Sequence, residues 1–156
     1  MNQPTRRRGV QSGFDWPIRV YYEDTDAGGI VFFANYLKFF ERARTEWLRA
    51  CGIDQRMLAE QNGVLFVVSE TAVQYRAPAR LDDMLTVASR IERLGKASVE
   101  FVQEARRGDR VLAIGTIRVG CVDHATLKPI ALPRAVSEGL GREPHPFEAG
   151  MSTANN

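Results

Sequence analysis

Apolar side chains recur every three or four positions between Phe33 and Cys51, then every second position after Gly63. A chain with one long helical stripe followed by alternating segments has few ways to bury both, because the stripe needs a surface and the segments need a cover. The stripe runs through Phe33, Tyr36, Leu37, Phe40, Ala43, Arg44, Trp47, Leu48 and Cys51. All but Arg44 are apolar or weakly polar, which predicts a helix of about five turns, stopped by Gly52. Lys38, Glu41, Arg42, Thr45, Glu46 and Arg49 make its polar side. A second, short helix is predicted over "DQRMLAEQNG", with Asp54 as N-cap and Gly63 as its end.

The segments "VLFVVSETAVQYRAP", "MLTVASRIERL", "ASVEFVQEARR" and "RVLAIGTIRVGCVD" alternate and are rich in β-branched residues. They are parted by "APARLDD", "GK" and "GD", the last two being hairpin signals. Short links predict antiparallel neighbours. With an earlier strand near Phe14 to Tyr22, the expectation is a two-layer α+β domain, a sheet of about five antiparallel strands lying against one long helix. Leu65 to Tyr75 and Val111 to Asp123 carry apolar residues at both alternating sets of positions. That predicts an outer sheet face covered by a second subunit. Residues 1–13 read as a flexible basic tail, 14–133 as the domain, and 134–156 as an irregular tail.

Several function classes are excluded early. A net charge of +2 over 156 residues is too small an electrostatic footprint for nucleic acid. No apolar run is long enough to span a bilayer, so no stable membrane insertion is expected. The start, "MNQPTRRRGVQSGFDW", is basic but has no apolar stretch behind it, and it is not expected to be a secretory signal. Two cysteines and two histidines, scattered, fit neither a disulfide framework nor a zinc site. The expectation is a cytoplasmic protein without metal or bound cofactor.

What remains is "EDTDAGGIVFFANY", residues 23–36, which sets acids and a glycine pair directly ahead of the helix. Gly28 and Gly29 allow a sharp bend. A helix start offers unpaired N–H groups and a partial positive charge. If Asp26 lies beside it, a carboxylate that can attack or act as base and donors for a developing oxyanion share one small space, as acyl transfer requires. The same residues also suit a plain capping turn. Asp24 reads as structural. Asn35 is placed to orient the turn, and Tyr36, with the other aromatics, to line a pocket or the core. Of those aromatics, Phe33, Tyr36 and Phe40 fall on the core stripe, whereas Phe32 and Phe39 lie off it and are better pocket or interface candidates. Glu41, midway along the helix, is the second candidate for a catalytic carboxylate.

The stretch "RVYYEDTDAGGIVFFANYLKFFERARTEWL", residues 19–48, resembles the acyl-CoA thioesterases of the 4-hydroxybenzoyl-CoA thioesterase family, most nearly their bacterial Tol–Pal-associated branch. Arg19, Val20, Thr25, Asp26 and Gly29 carry the pattern, "ERARTEWL" and "GKASVEF" extend it, and the likeness runs through residues 14–133. The resemblance implies a hotdog fold and hydrolysis of an acyl-CoA thioester to a free acid and coenzyme A. It also implies homodimers, often paired into homotetramers, with active sites at the subunit interface. Asp26 matches the catalytic nucleophile or general base. Phe33 matches the position whose backbone N–H polarises the thioester oxygen, where many relatives of that branch carry His and the benzoyl-type enzymes Tyr. Arg93, Lys96 and Ser98, in "RLGKAS", fall where the family meets the coenzyme A nucleotide. An acyl-carrier protein is a further conceivable donor of the acyl group. A non-catalytic module that binds acyl-CoA or acyl-carrier protein is the alternative to an enzyme.

Overall fold

The structure, a computed structural model, describes residues 13–141. The tail expectation for residues 1–12 and 142–156 therefore falls outside the described residues. Five strands form one antiparallel sheet: β1 (Gly13–Arg19), β2 (Val64–Tyr75), β3 (Met84–Leu94), β4 (Ser98–Arg107) and β5 (Arg110–Asp123). The long helix α1 (Tyr36–Ala50) lies across its concave face, preceded by a 3-10 turn at Phe33–Asn35. This is the architecture the resemblance implied. The short second helix is also present. Asp54 Oδ1 accepts from the N–H groups of Arg56 and Met57, capping α2 (Gln55–Met57), which continues as a π turn over Leu58–Asn62 up to Gly63.

The order across the sheet is β1-β3-β4-β5-β2. The two short links do make hairpins, β3 to β4 and β4 to β5. The longer "APARLDD" link does not. It carries the chain from β2, paired with β5 at one edge, over to β3, paired with β1 near the other. A connection of that length can cross a helix end, and here it is held beside the 28–31 segment. Val31 N–H donates to Ala79 O at 2.9 Å, and Ile30 and Arg80 form an isolated bridge. Register shifts in β2, β3, β4 and β5 bend the sheet around the helix.

The buried stripe of α1 is Tyr36, Phe39, Phe40, Ala43, Trp47 and Leu48. Phe39, expected at a pocket or interface, is fully buried, while Phe33, expected in the core, is 61% exposed. The 3-10 turn advances about 120° per residue instead of 100°, so the phase of the stripe is set from Tyr36 onward and Phe33 drops off it. Phe40 presses close to the sheet opposite Gly115, where a Cβ would lie 2.7 Å from its ring. No larger residue fits under the helix at that point.

Uncovered apolar surface is also present on the inner face. A helix about 10 Å wide spans roughly two strands spaced 4.8 Å apart, so it cannot cover a five-stranded sheet. Val68 and Tyr75, on the concave side of edge strand β2, are left 51% and 48% exposed. Past the end of β5 the chain turns back and runs antiparallel alongside it, pairing Pro129 with Val122. Residues 134–141 are also not an irregular tail. They form α3 (Arg134–Gly141), which buries Val136 and Leu140 against the rest of the domain.

Candidate active site

The acidic turn is held from both sides. Asp24 is buried, with Oδ2 accepting from the Tyr21 N–H at 2.8 Å and Oδ1 from Asn35 Nδ2 at 2.9 Å. Phe32 N–H donates to Asp24 O at 3.0 Å and Asp26 N–H to Ile30 O at 2.9 Å. The segment 24–32 is therefore a narrow loop returning on itself, and Asp26 sits near its tip. Its Oδ1 accepts from Gly28 N–H at 2.8 Å, and Gly29, at φ +83°, turns the chain where an L side chain would be strained.

Asp26 is exposed, and Oδ2 makes no hydrogen bond among the described residues. Phe32, the N-cap of the 3-10 turn, provides no side-chain cap. The first N–H groups of a helical turn have no acceptor within it, so those of Phe33 and Ala34 stay available. Phe33 is three residues beyond Ile30, the cross-loop partner of Asp26, a separation of at most about 10 Å of chain. The helix start is thus close to the loop. Tyr75 steadies the start, its hydroxyl donating to Phe33 O at 2.9 Å and its ring edge-on to those of Phe33 and Tyr36. Burial raises the pKa of the Tyr75 hydroxyl above its ordinary value.

Asn35 and Tyr36 are engaged within the fold. Both are buried. Asn35 is bonded to Asp24, and Tyr36 Oη accepts from Ala79 N–H at 3.1 Å, fixing the 76–83 link. Sequence reasoning missed that link, along with Tyr75. The one available signal was the length of "APARLDD", too long for a hairpin turn.

Arg93, Lys96 and Ser98 lie at the β3–β4 turn. Arg19 pairs with Met84 and Gly13 with Arg90, so the far end of β3 points away from the Asp26 loop. The 11 residues of β3 span roughly 35 Å, and a single chain does not bring these two groups together. Glu41 stands about 12 Å along the helix from Phe33, in the lining of a cavity there. Cys121 is buried and its thiol is pushed up by desolvation, unlike an activated nucleophile. His124 is exposed beyond the end of β5, and His145 lies outside the described residues. Among the described residues, no cluster of three His, Cys, Asp or Glu side chains is arranged to hold a metal ion, and no helix is long and apolar enough to cross a membrane.

Residues 20–140 match the family model of the thioesterase-like superfamily. The chain is 45% identical over 127 residues to the acyl-CoA thioesterase YbgC of Haemophilus influenzae, covering 81% of this chain and 93% of that protein. It is 36% identical over 132 residues to the acyl-CoA thioesterase YbgC of Helicobacter pylori, covering 78% and 96%. A probable thioesterase from Bartonella henselae superposes with a TM-score of 0.74 at 35% identity, over 78% of this chain and 99% of that one. A 1,4-dihydroxy-2-naphthoyl-CoA thioesterase from Synechocystis shares the fold, with a TM-score of 0.80 at 21% identity over 86% and 99%.

Proposed function

This chain belongs to the thioesterase-like superfamily, and from that premise we propose that it is a hotdog-fold acyl-CoA thioesterase with Asp26 at the reacting carbon. Its curated relatives are named acyl-CoA thioesterases over most of their length. The observation that carries the residue assignment is the exposed Asp26 carboxylate, one oxygen held by Gly28 N–H and the other open, beside an uncapped helix start.

In this reading, the thioester oxygen accepts from the Phe33 N–H, and the partial positive charge of the helix start offsets the negative charge that develops there. Asp26 Oδ2 either attacks the carbonyl carbon or takes a proton from a water that does. In the first route the C–S bond breaks, the coenzyme thiolate leaves and is protonated, and water hydrolyses the resulting anhydride. In the second, water adds directly and the same thiolate leaves. The Phe33 side chain has no hydrogen-bond donor or transferable proton, so donation at this position is by main chain alone.

The chain works as a dimer or tetramer in the cytoplasm, with substrate held between copies. Two observations support the assembly. The coenzyme-binding candidates Arg93, Lys96 and Ser98 are at the far end of the sheet from Asp26, and edge strand β2 keeps apolar residues uncovered. A compartment that keeps thiols reduced suits Cys121.

Free-thiol release from short-chain, long-chain and benzoyl-CoA tests the chemistry. Asp26→Asn is expected to lower kcat/KM by about 10²- to 10⁴-fold on whichever class the wild type cleaves. Equal rates in both proteins would remove Asp26 from the mechanism.

A further inference from the structure

One flank of α1 has no part in the chemistry above. Leu37, Glu41, Arg44 and Leu48 succeed one another at spacings of three and four, so they line one side of the helix, with Phe33 just ahead of it. Across from them run the uncovered inner residues of β2, from Tyr75 at one end to Phe66 at the other. Beyond the helix start, Phe33 and the 42%-exposed Leu37 keep this flank apolar. Farther along it lies a cavity of about 100 Å³ among Glu41, Arg44, Thr45, Gln55, Phe66 and Phe101. A roughly 150 Å³ cavity admits a benzene ring, so this one holds a fragment of a few heavy atoms.

The cavity is not merely apolar. Arg44 Nη1 donates to Gln103 Oε1 at 3.0 Å, and its guanidinium carbon stands 5.9 Å from the centre of the Phe101 ring. Gln103 is fully buried, with Nε2 donating to Phe40 O and Ser89 Oγ at 2.9 Å each. All its strong bonds are committed, so it anchors Arg44 in one direction. None of the ion pairs among the described residues includes Arg44. The one sealed, unpartnered side-chain nitrogen among them is Arg90 Nε, so the remaining Arg44 N–H groups open onto accessible space. Burial lowers the Arg44 pKa to about 10, with Glu41 acting the other way, and it remains a cation at neutral pH.

We propose that this cavity receives the distal end of the acyl group, and that Arg44 selects acyl groups bearing an oxygen acceptor there. The acceptor is a carbonyl, a hydroxyl or a carboxylate. A saturated tail would leave the anchored guanidinium facing methylene groups. A site built to hydrogen-bond discriminates strongly against the analogue that lacks the partner. The proposal rests on the thioesterase reading and adds a substrate class to it.

The test compares kcat/KM for chain-length-matched saturated, ω-hydroxy, keto and ω-carboxy acyl-CoAs, in wild type, Arg44→Met and Arg44→Lys. The wild type is expected to favour at least one oxygen-bearing member about tenfold or more over the saturated one. That ratio should collapse toward one in Arg44→Met and survive in part in Arg44→Lys. Which member is favoured separates carboxylate from neutral oxygen. Because the ratio is taken within each protein, a general loss of folded enzyme cancels. A ratio near one in the wild type, or one unchanged by Arg44→Met, overturns the proposal. If no acyl-CoA is cleaved at all, the thioesterase reading fails and calorimetry with the uncleaved ω-carboxy and saturated acyl-CoAs decides the cavity separately. Tighter binding of the ω-carboxy member, lost in Arg44→Met, keeps the pocket assignment, and no such difference overturns it.

Discussion

Asn35 Nδ2 donates to Asp24 Oδ1 at 2.9 Å, joining the acidic turn to the start of the helix that follows it. Both residues are buried, and the other Asp24 oxygen holds the Tyr21 N–H. This pair, rather than Asp26, bears the structural load of the turn. Asn35→Ala leaves the Asp24 carboxylate short of a partner in a buried place and is expected to destabilise by about 1–3 kcal/mol. Asp26→Asn, on an exposed side chain, should change stability by less than about 0.5 kcal/mol. Urea denaturation of the two variants checks the contrast.

The two glycines of the turn are not equivalent. Gly29 has φ +83°, whereas a Cβ on Gly28 would meet only Asp26 Oδ1, at 3.4 Å. Gly29→Ala should cost about 1–2 kcal/mol from the left-handed conformation, and Gly28→Ala should cost much less. Comparable losses in the two midpoints would contradict this account of the loop.

Gly115 sets how near the helix comes to the sheet. A methyl there would lie 2.7 Å from the Phe40 ring and 3.0 Å from Ile117 Cδ1. Gly115→Ala is expected to destabilise by about 1–3 kcal/mol through overpacking. Combined with Phe40→Leu, the loss should be smaller than the sum of the two single losses, because the second change makes room for the first. A double-mutant cycle by thermal or chemical unfolding measures that coupling.

Asp83 holds the link between β2 and β3. Burial acts to raise its carboxyl pKa, but the Arg80 N–H and the Arg107 guanidinium, 2.7 Å away, outweigh it and hold the pKa below the ordinary value. A group depressed in the folded state contributes stability that is present above its unfolded pKa and lost as pH falls through the folded one. Stability should therefore decline below about pH 4. Asp83→Asn should flatten that part of the curve while costing about 1 kcal/mol or less near neutrality, since the pair is partly exposed. Melting temperature against pH for the two proteins shows whether the slope moves.

The local elements were legible in the sequence because each is written in a period that neighbours alone can read. The stripe from Tyr36, the alternation after Gly63, the Asp54 cap and the two short hairpins all appear where the spacing puts them. The acidic turn ahead of the helix was legible too, since acids, a glycine pair and a helix start are contiguous. A 3-10 turn, however, is not distinguishable from the first turn of an α-helix by apolar spacing, and so Phe33 and Phe39 exchanged their expected places. The helix at 134–141 was missed because Val136 and Leu140 are too few to declare a period until they find α1 and the sheet to pack against.

By itself, then, the sequence determined that one amphipathic helix must lie on an antiparallel sheet, and that a carboxylate must stand close to that helix's start. Those are properties of residues near one another along the chain. Only the tertiary structure decided that β2 pairs with β5 rather than β3, leaving an apolar inner edge beside the helix. It alone brought Gln103 beneath Arg44 and separated Arg93, Lys96 and Ser98 from Asp26 by the length of a strand. These are contacts between distant parts of the chain, settled by how much sheet a single helix can cover and where the uncovered remainder falls.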